Sequence, residues 1–229
     1  MSDDFTLPLA FDGTVRLFPL PNVVLFPHVT LPLHIFEPRY RQMAADALLA
    51  DRLITMVLLK PGFEAEYEKS PPLYTMACVG KIIADHQLED GRYNILLRGL
   101  RRARLVKELT SPKPYRMAQV ELLPDDPSPA QAAADDAEKL AGLVTGWLTT
   151  LGLPTEHIVK LLNSELPQGT LCDILGFALP MAIEFKQGLL EEPDVAIRLR
   201  RLVEYLETNE PPKAKGTSDH KFPPDFSSN

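Results

Sequence analysis

Glu37 is a lone carboxylate in the apolar run "LFPLPNVVLFPHVTLPLHIFEPRYRQM", residues 17–43. A carboxyl in such a setting can serve as a general acid, but that chemistry needs a partner, and no second carboxylate is close in sequence. A structural role is favoured. A helix predicted to begin at Pro38 leaves N–H groups from which Glu37 can accept, and Arg39 or Arg41 can pair with it. Losing the charge is then expected to cost about 0.5–2 kcal/mol. His28 and His34 are six residues apart on strand-like sequence, so they could share a face and begin a metal site. A third ligand is missing, because Glu37 falls on the wrong parity unless the chain bends at Pro38. Neither a metal nor a cofactor is expected.

Other chemistries lack their residues altogether. The pair Gly80-Lys81 is followed by Ile82 and has no earlier glycine at the spacing a phosphate loop requires. There is no G-x-S-x-G, H-E-x-x-H or C-x-x-C. A basic run, Arg98, Arg101, Arg102, Arg104 and Lys107, could line a phosphate-binding face, but no aromatic residues interleave to stack bases. A solvated strand face is the favoured reading. Trp147 sits among Leu143, Val144, Leu148 and Leu151 and reads as helix core.

Five prolines punctuate residues 17–43, and four of them (Pro19, Pro21, Pro27 and Pro32) cannot lie inside a helix. They bound short β-prone runs: 14–18, 23–26 and 30–35. Pro38 suits a first helical position, and Tyr40, Met43, Ala44, Ala47 and Leu48 form one stripe after it. Strands are predicted at 53–59 and 74–85, then a hairpin across Asp90-Gly91 within residues 88–99, with two further strands after Gly99, at 101–109 and 115–123. Roughly seven strands and one helix, mostly antiparallel, predict a partly closed β-barrel.

At "PDDPSPAQ" (124–131) the pattern turns helical, with helices predicted over 129–152, 154–166, 170–179, 180–192 and 193–207. The last carries the stripe Val195, Leu199, Leu202, Val203 and Leu206. The fold class is α+β, in four parts: an extension at 1–13, a barrel at 14–124, a helical bundle at 125–208 and a tail, expected to be disordered, at 209–229.

The 229 residues carry a net charge of −7. It is uneven: residues 1–124 hold 15 basic and 14 acidic side chains, residues 125–229 hold 9 and 17. The acidic second half argues against a polyanion partner. No eighteen-residue apolar run suggests a membrane span, and the acidic N-terminus is unlike a signal peptide. Cys78 and Cys172 read as buried thiols, so a cytoplasmic protein is expected.

The Pro-punctuated opening, "ACVGKII", "GRYNILLRGLRRARLVKE", "YRMAQVELLPDD" and "LPMAIEFKQGLLEEPDVAIRLRRLVEYL" follow one another in an order and spacing that resembles the N-terminal, substrate-recognition domain of Lon proteases, over about residues 14–207. The likeness is to the stand-alone Lon-N-like proteins of bacteria. It implies a PUA-like pseudo-barrel followed by a helical bundle, and a role in recognising proteins. The ATPase and Ser-Lys protease domains of Lon have no counterpart in this sequence, so a module with neither activity is expected. Candidate contact or family-motif residues are Phe18, Pro19, Leu20, Phe26, Pro27, Pro32, Phe36, Glu37, Arg39 and Tyr40, with the place where barrel and bundle meet as a further surface. The expected partners are protein or peptide clients. RNA binding in the manner of PUA domains, and a hydrolase built on Glu37 and a histidine, are the alternatives.

Overall fold

The computed structural model describes residues 6–62, 70–125, 134–162 and 164–212. The linker expected at 124–131 and the tail fall mostly outside these residues. The chain divides into two units at Pro124 and Asp125.

The first unit contains β1 (Thr14–Leu20), β2 (Thr30–Ile35), α1 (Pro38–Leu48), β3 (Leu53–Leu59), β4 (Leu73–Gln87), β5 (Tyr93–Leu109) and β6 (Met117–Leu123). The sheet order is β2-β5-β4-β3-β1-β6, and β6 returns to pair with β5, so five strands close a ring with β2 outside it on β5. All pairings are antiparallel except β1–β3, where Leu17 lies opposite Thr55 and Leu20 opposite Leu58. A parallel pair needs a long crossover, which β2 and α1 supply. All seven residues of β3 are buried, which is why its sequence is apolar at every position but Thr55. Val15, Leu17, Leu53, Val57, Ala77, Val79, Leu100, Ala103, Ala118 and Val120 fill the barrel.

Six strands form, because two of the expected runs do not make strands of their own, for one reason. Residues 23–26 are a loop with Val24, Leu25 and Phe26 buried. Its backbone is held by Gly99: His28 N–H donates to the Gly99 carbonyl (2.9 Å), and Gly99 N–H donates to the Val29 carbonyl (2.8 Å). The apparent break at Gly99 is a bulge inside one 17-residue strand. Opposite Val79 and Gly80 stand Arg101 and Gly99, leaving Leu100 extra, and β5 bends there. The hairpin forms at Asp90-Gly91, with Gly91 at φ 80°.

The second unit contains α2 (Ala134–Thr150), α3 (Glu156–Leu162), α4 (Gln168–Ala178), α5 (Ile183–Glu191) and α6 (Val195–Thr208). Asp194 caps α6 by accepting from Ala196 and Ile197 N–H (2.8 and 3.1 Å), a short acidic side chain at the position that suits it. The predicted stripe of α6 is buried throughout and packs on α2 and α4. Trp147 is core, as its neighbours indicate, and its Nε1–H donates to the Leu206 carbonyl (3.0 Å). Lys186 Nζ donates to the Phe177 carbonyl in the last turn of α4 (2.6 Å), where helix carbonyls lack partners. Burial pushes its amine down to about 8. Cys78 and Cys172 are both buried. No helix among the described residues is long and apolar enough to cross a membrane.

Candidate functional site

The apolar motif of residues 17–43 divides between core and surface. Phe18, Pro19, Phe26, Pro27 and Tyr40 are buried, and Leu20, Pro32, Phe36, Glu37 and Arg39 are half-buried. Phe26 and Pro27 belong to the loop that Gly99 holds, and most of the apolar mass serves the barrel. Pro19, Arg39 and Tyr40 are different, because they line a cleft.

That cleft, about 60 Å³, is formed by Pro19 of β1, Arg39 and Tyr40 of α1, Leu59 of β3, Pro71, and Pro114, Tyr115 and Arg116 on the approach to β6. Pro38 opens α1 at a position needing no N–H donor and so places Arg39 and Tyr40 in its first turn. Tyr40 packs on Phe18 with ring centroids 4.6 Å apart, and the Arg39 guanidinium lies over the Tyr40 ring at 4.7 Å, the favourable face for a cation. Arg39 also donates from Nε to Glu37 Oε2 (3.0 Å), and its Nη2 lies 2.9 Å from that oxygen. Across the cleft, Arg116 grips both carboxylate oxygens of Glu108 (2.7 and 2.5 Å) and donates to the Pro71 carbonyl (2.7 Å). Such a two-pronged pairing fixes the guanidinium in orientation as well as in place. Tyr115 donates its hydroxyl to Asp46 Oδ2 (2.6 Å), which Lys113 Nζ also reaches (2.8 Å). Burial and that bond push the Tyr115 phenol up to about 12.

Sequence reasoning missed Leu59, Pro71, Pro114, Tyr115 and Arg116. A signal existed: Pro38-Arg39-Tyr40 and Pro114-Tyr115-Arg116 both set a tyrosine beside an arginine just after a proline. Their convergence was not legible, because β3, β4 and β5 all lie between Tyr40 and Pro114 along the chain.

Glu37 departs from its expected role in one respect. It occupies the N-cap of α1 with no side-chain cap hydrogen bond, and its carboxylate pairs with Arg39 instead, while Arg41 donates to the Gly91 carbonyl. The cap contribution therefore drops out. E37Q should cost no more than about 1 kcal/mol, the range of a partly exposed ion pair. Urea unfolding monitored by circular dichroism checks this, and a larger loss would assign Glu37 a role the pair does not explain.

The lysine and tyrosine donors hold the Asp46 carboxyl down at about 2, against 3.8 ordinarily. A depressed carboxyl stabilises the fold above its unfolded value and loses that contribution as pH falls toward its folded value. The acid limb of stability should therefore show a loss between about pH 4 and pH 2 that D46N lacks. Thermal melts of the two proteins across that window check the difference.

The remaining candidates do not converge. His34 Nδ1–H donates to Asn94 Oδ1 (2.7 Å). Its Nε2 accepts from Arg92 Nη1 (3.2 Å). Both ring nitrogens are thus engaged at the hairpin, whereas a metal ligand needs one of them. His28 sits at φ 66° in the loop against β5. Among the described residues no group of three His, Cys, Asp or Glu is placed to hold a metal ion. The basic run is divided by the pleat and bulge of β5. Arg102 is buried, Arg98 half-buried, and only Arg101, Arg104 and Lys107 are exposed.

Comparison with known proteins agrees with this architecture. The N-terminal domain of a Mycobacterium avium complex Lon protease superposes with a TM-score of 0.68 at 18% identity, covering 85% of this chain and 98% of that one. The Lon N-terminal domain protein of Xanthomonas campestris gives 0.61 at 22%, covering 84% and 98%. At these identities the likeness establishes the fold. By sequence, Lon protease 2 of Herpetosiphon aurantiacus is 34% identical over 209 residues, which are 88% of this chain and 25% of that protein. Lon protease 2 of Syntrophobacter fumaroxidans is 27% identical over 192 residues, 84% of this chain and 24% of its own length. The chain thus spans about a quarter of these proteases, and the region it matches is their N-terminal substrate-binding domain rather than the ATPase or protease domain. With 14–208 matched, the chain belongs to the family of the ATP-dependent protease La (LON) substrate-binding domain.

Proposed function

We propose that this protein is a non-enzymatic recognition module of the cytoplasm that binds exposed or extended segments of client proteins, in a role linked to proteolysis or quality control. The observation that carries this reading is the match to a substrate-binding domain over residues 14–208. The cleft supports it: prolines and tyrosines give rigid, amphipathic contact area at little entropic cost. The sequence supplies no phosphate loop, so no ATPase activity is ascribed to the chain. Pro19, Arg39 and Tyr40 are the motif residues proposed to meet clients. Phe18, which packs on Tyr40, and Glu37, which pairs with Arg39, support that surface.

Affinity for a single unfolded segment should be on the order of micromolar, since ordering a flexible chain offsets much of the contact energy. Fluorescence anisotropy with a labelled, reduced and carboxymethylated protein checks this, in low and high salt. Saturable binding that varies little with salt is expected. Absence of that binding, together with steeply salt-dependent binding of single-stranded RNA, would overturn the reading in favour of a nucleic-acid partner.

A further inference from the structure

From the lining of the cleft we infer that it takes the C-terminal residue of a client chain, an apolar side chain with its own free carboxylate, held between Arg39 and Arg116. This deepens the recognition role proposed above and rests on it. Among the described residues the lining holds two cations and no acid. Glu37 and Glu108, which brace the two arginines, are not part of the lining. The cleft therefore sets guanidinium donors, each steadied by a carboxylate behind it, beside the apolar surfaces of Pro19, Tyr40, Leu59 and Pro71, and its complement is an anion attached to a small apolar group.

Size narrows the choice. The cleft encloses about 60 Å³. That is room for a handful of waters, or for a single residue. An internal apolar–acidic pair cannot satisfy both features. Neighbouring side chains of an extended segment point to opposite faces, so only one of the two would enter. A C-terminal residue carries its side chain and its carboxylate on the same Cα, so one residue delivers both.

The two cations are held before a ligand arrives. Arg116 directs three N–H donors at Glu108 and the Pro71 carbonyl. A guanidinium has five, so it keeps its position with donors to spare. Arg39 is fixed by Glu37 and by the Tyr40 ring. Tyr115, also in the lining, is fixed by Asp46. Such bracing reduces the ordering cost of binding, and planar guanidinium heads suit a carboxylate.

The test uses the whole 229-residue protein and two fluorescein-labelled hexapeptides, Gly-Ser-Gly-Ser-Ala-Leu, one with a free C-terminal carboxylate and one with a C-terminal amide. Charge-assisted hydrogen bonds should make the acid bind on the order of tenfold more tightly or better. R39Q should bring the acid to the affinity of the amide. P114E places a negative charge on the exposed rim away from the core, and should do the same with an unchanged melting temperature. Equal binding of acid and amide would overturn the inference and leave the recognition role standing. So would an acid preference that survives in both variants, because the site would lie elsewhere. If neither peptide binds while the unfolded protein does, this inference alone falls. If the unfolded protein also fails to bind, the recognition role falls with it.

Discussion

D173A should destabilise the helical unit by about 3–5 kcal/mol, the range for breaking a buried ion pair by removing one partner. Asp173, in α4, is fully buried and receives a hydrogen bond from Arg198 Nη1 at 2.5 Å. Arg198, in α6, is 1% exposed, and its Nη2 lies 2.8 Å from Asp125, the first residue of the unit. Its Nε makes no hydrogen bond among the described residues. Removing Asp173 leaves a guanidinium in the core beside one half-exposed carboxylate. The cation can neither lose its proton nor reach water, so the fold bears the desolvation cost. Trp147 is the single tryptophan and lies in this unit. Its fluorescence during urea unfolding therefore reads the helices, while far-ultraviolet circular dichroism reads the whole chain. The double variant R198M/D173L should recover most of the loss, because an apolar pair of similar volume needs no partner. A D173A protein as stable as the parent would mean that Arg198 has another route to solvation.

G99A should cost the barrel about 3 kcal/mol or more, although it adds one methyl group. A Cβ at residue 99 would run into the carbonyl oxygen of Phe26 and press on Cys78 Sγ. The obstacle is backbone, and that backbone is tied to Gly99 by the bonds from His28 and to Val29, so it has no rotamer through which to retreat. The variant must either move the 21–29 loop, exposing Leu25 and Phe26, or shift β5 at its bulge. Either route loses core packing. Denaturant melts by circular dichroism measure the loss. A G99A barrel with parental stability would show that the loop is not held where this contact places it.

These two residues show what local pattern could and could not convey. Asp173 stood in "TLCDILGFAL" and Arg198 on the apolar stripe of its helix, three residues after Val195 and four before Leu202. Each was visible as a charge in an apolar setting, but nothing local pairs residues 25 apart on two helices. Gly99 looked like a break between strands because a single sequence shows the missing side chain and not what approaches the gap. The run at 23–26 looked like a strand because burial without backbone pairing leaves the same apolar residues behind.

The sequence by itself determined the elements and their class. Proline spacing, the Asp-Gly turn, the period of two before residue 124 and the helical period after it are local, and local sterics and amphipathicity read out directly. The ordered segments likewise sufficed for the resemblance to the Lon substrate-recognition domain, which the family match over 14–208 and the solved folds bear out. Tertiary structure alone decided which apolar residues are core and which line a cleft. It closed β6 onto β5, brought Pro114, Tyr115 and Arg116 to Arg39 and Tyr40, and set Arg198 against Asp173. Each of these depends on contacts between residues far apart in the chain, whose free energy comes from burying shared surface and pairing charges in space. Composition records the stock of such groups, and only the closed barrel and the packed helices determine which of them meet.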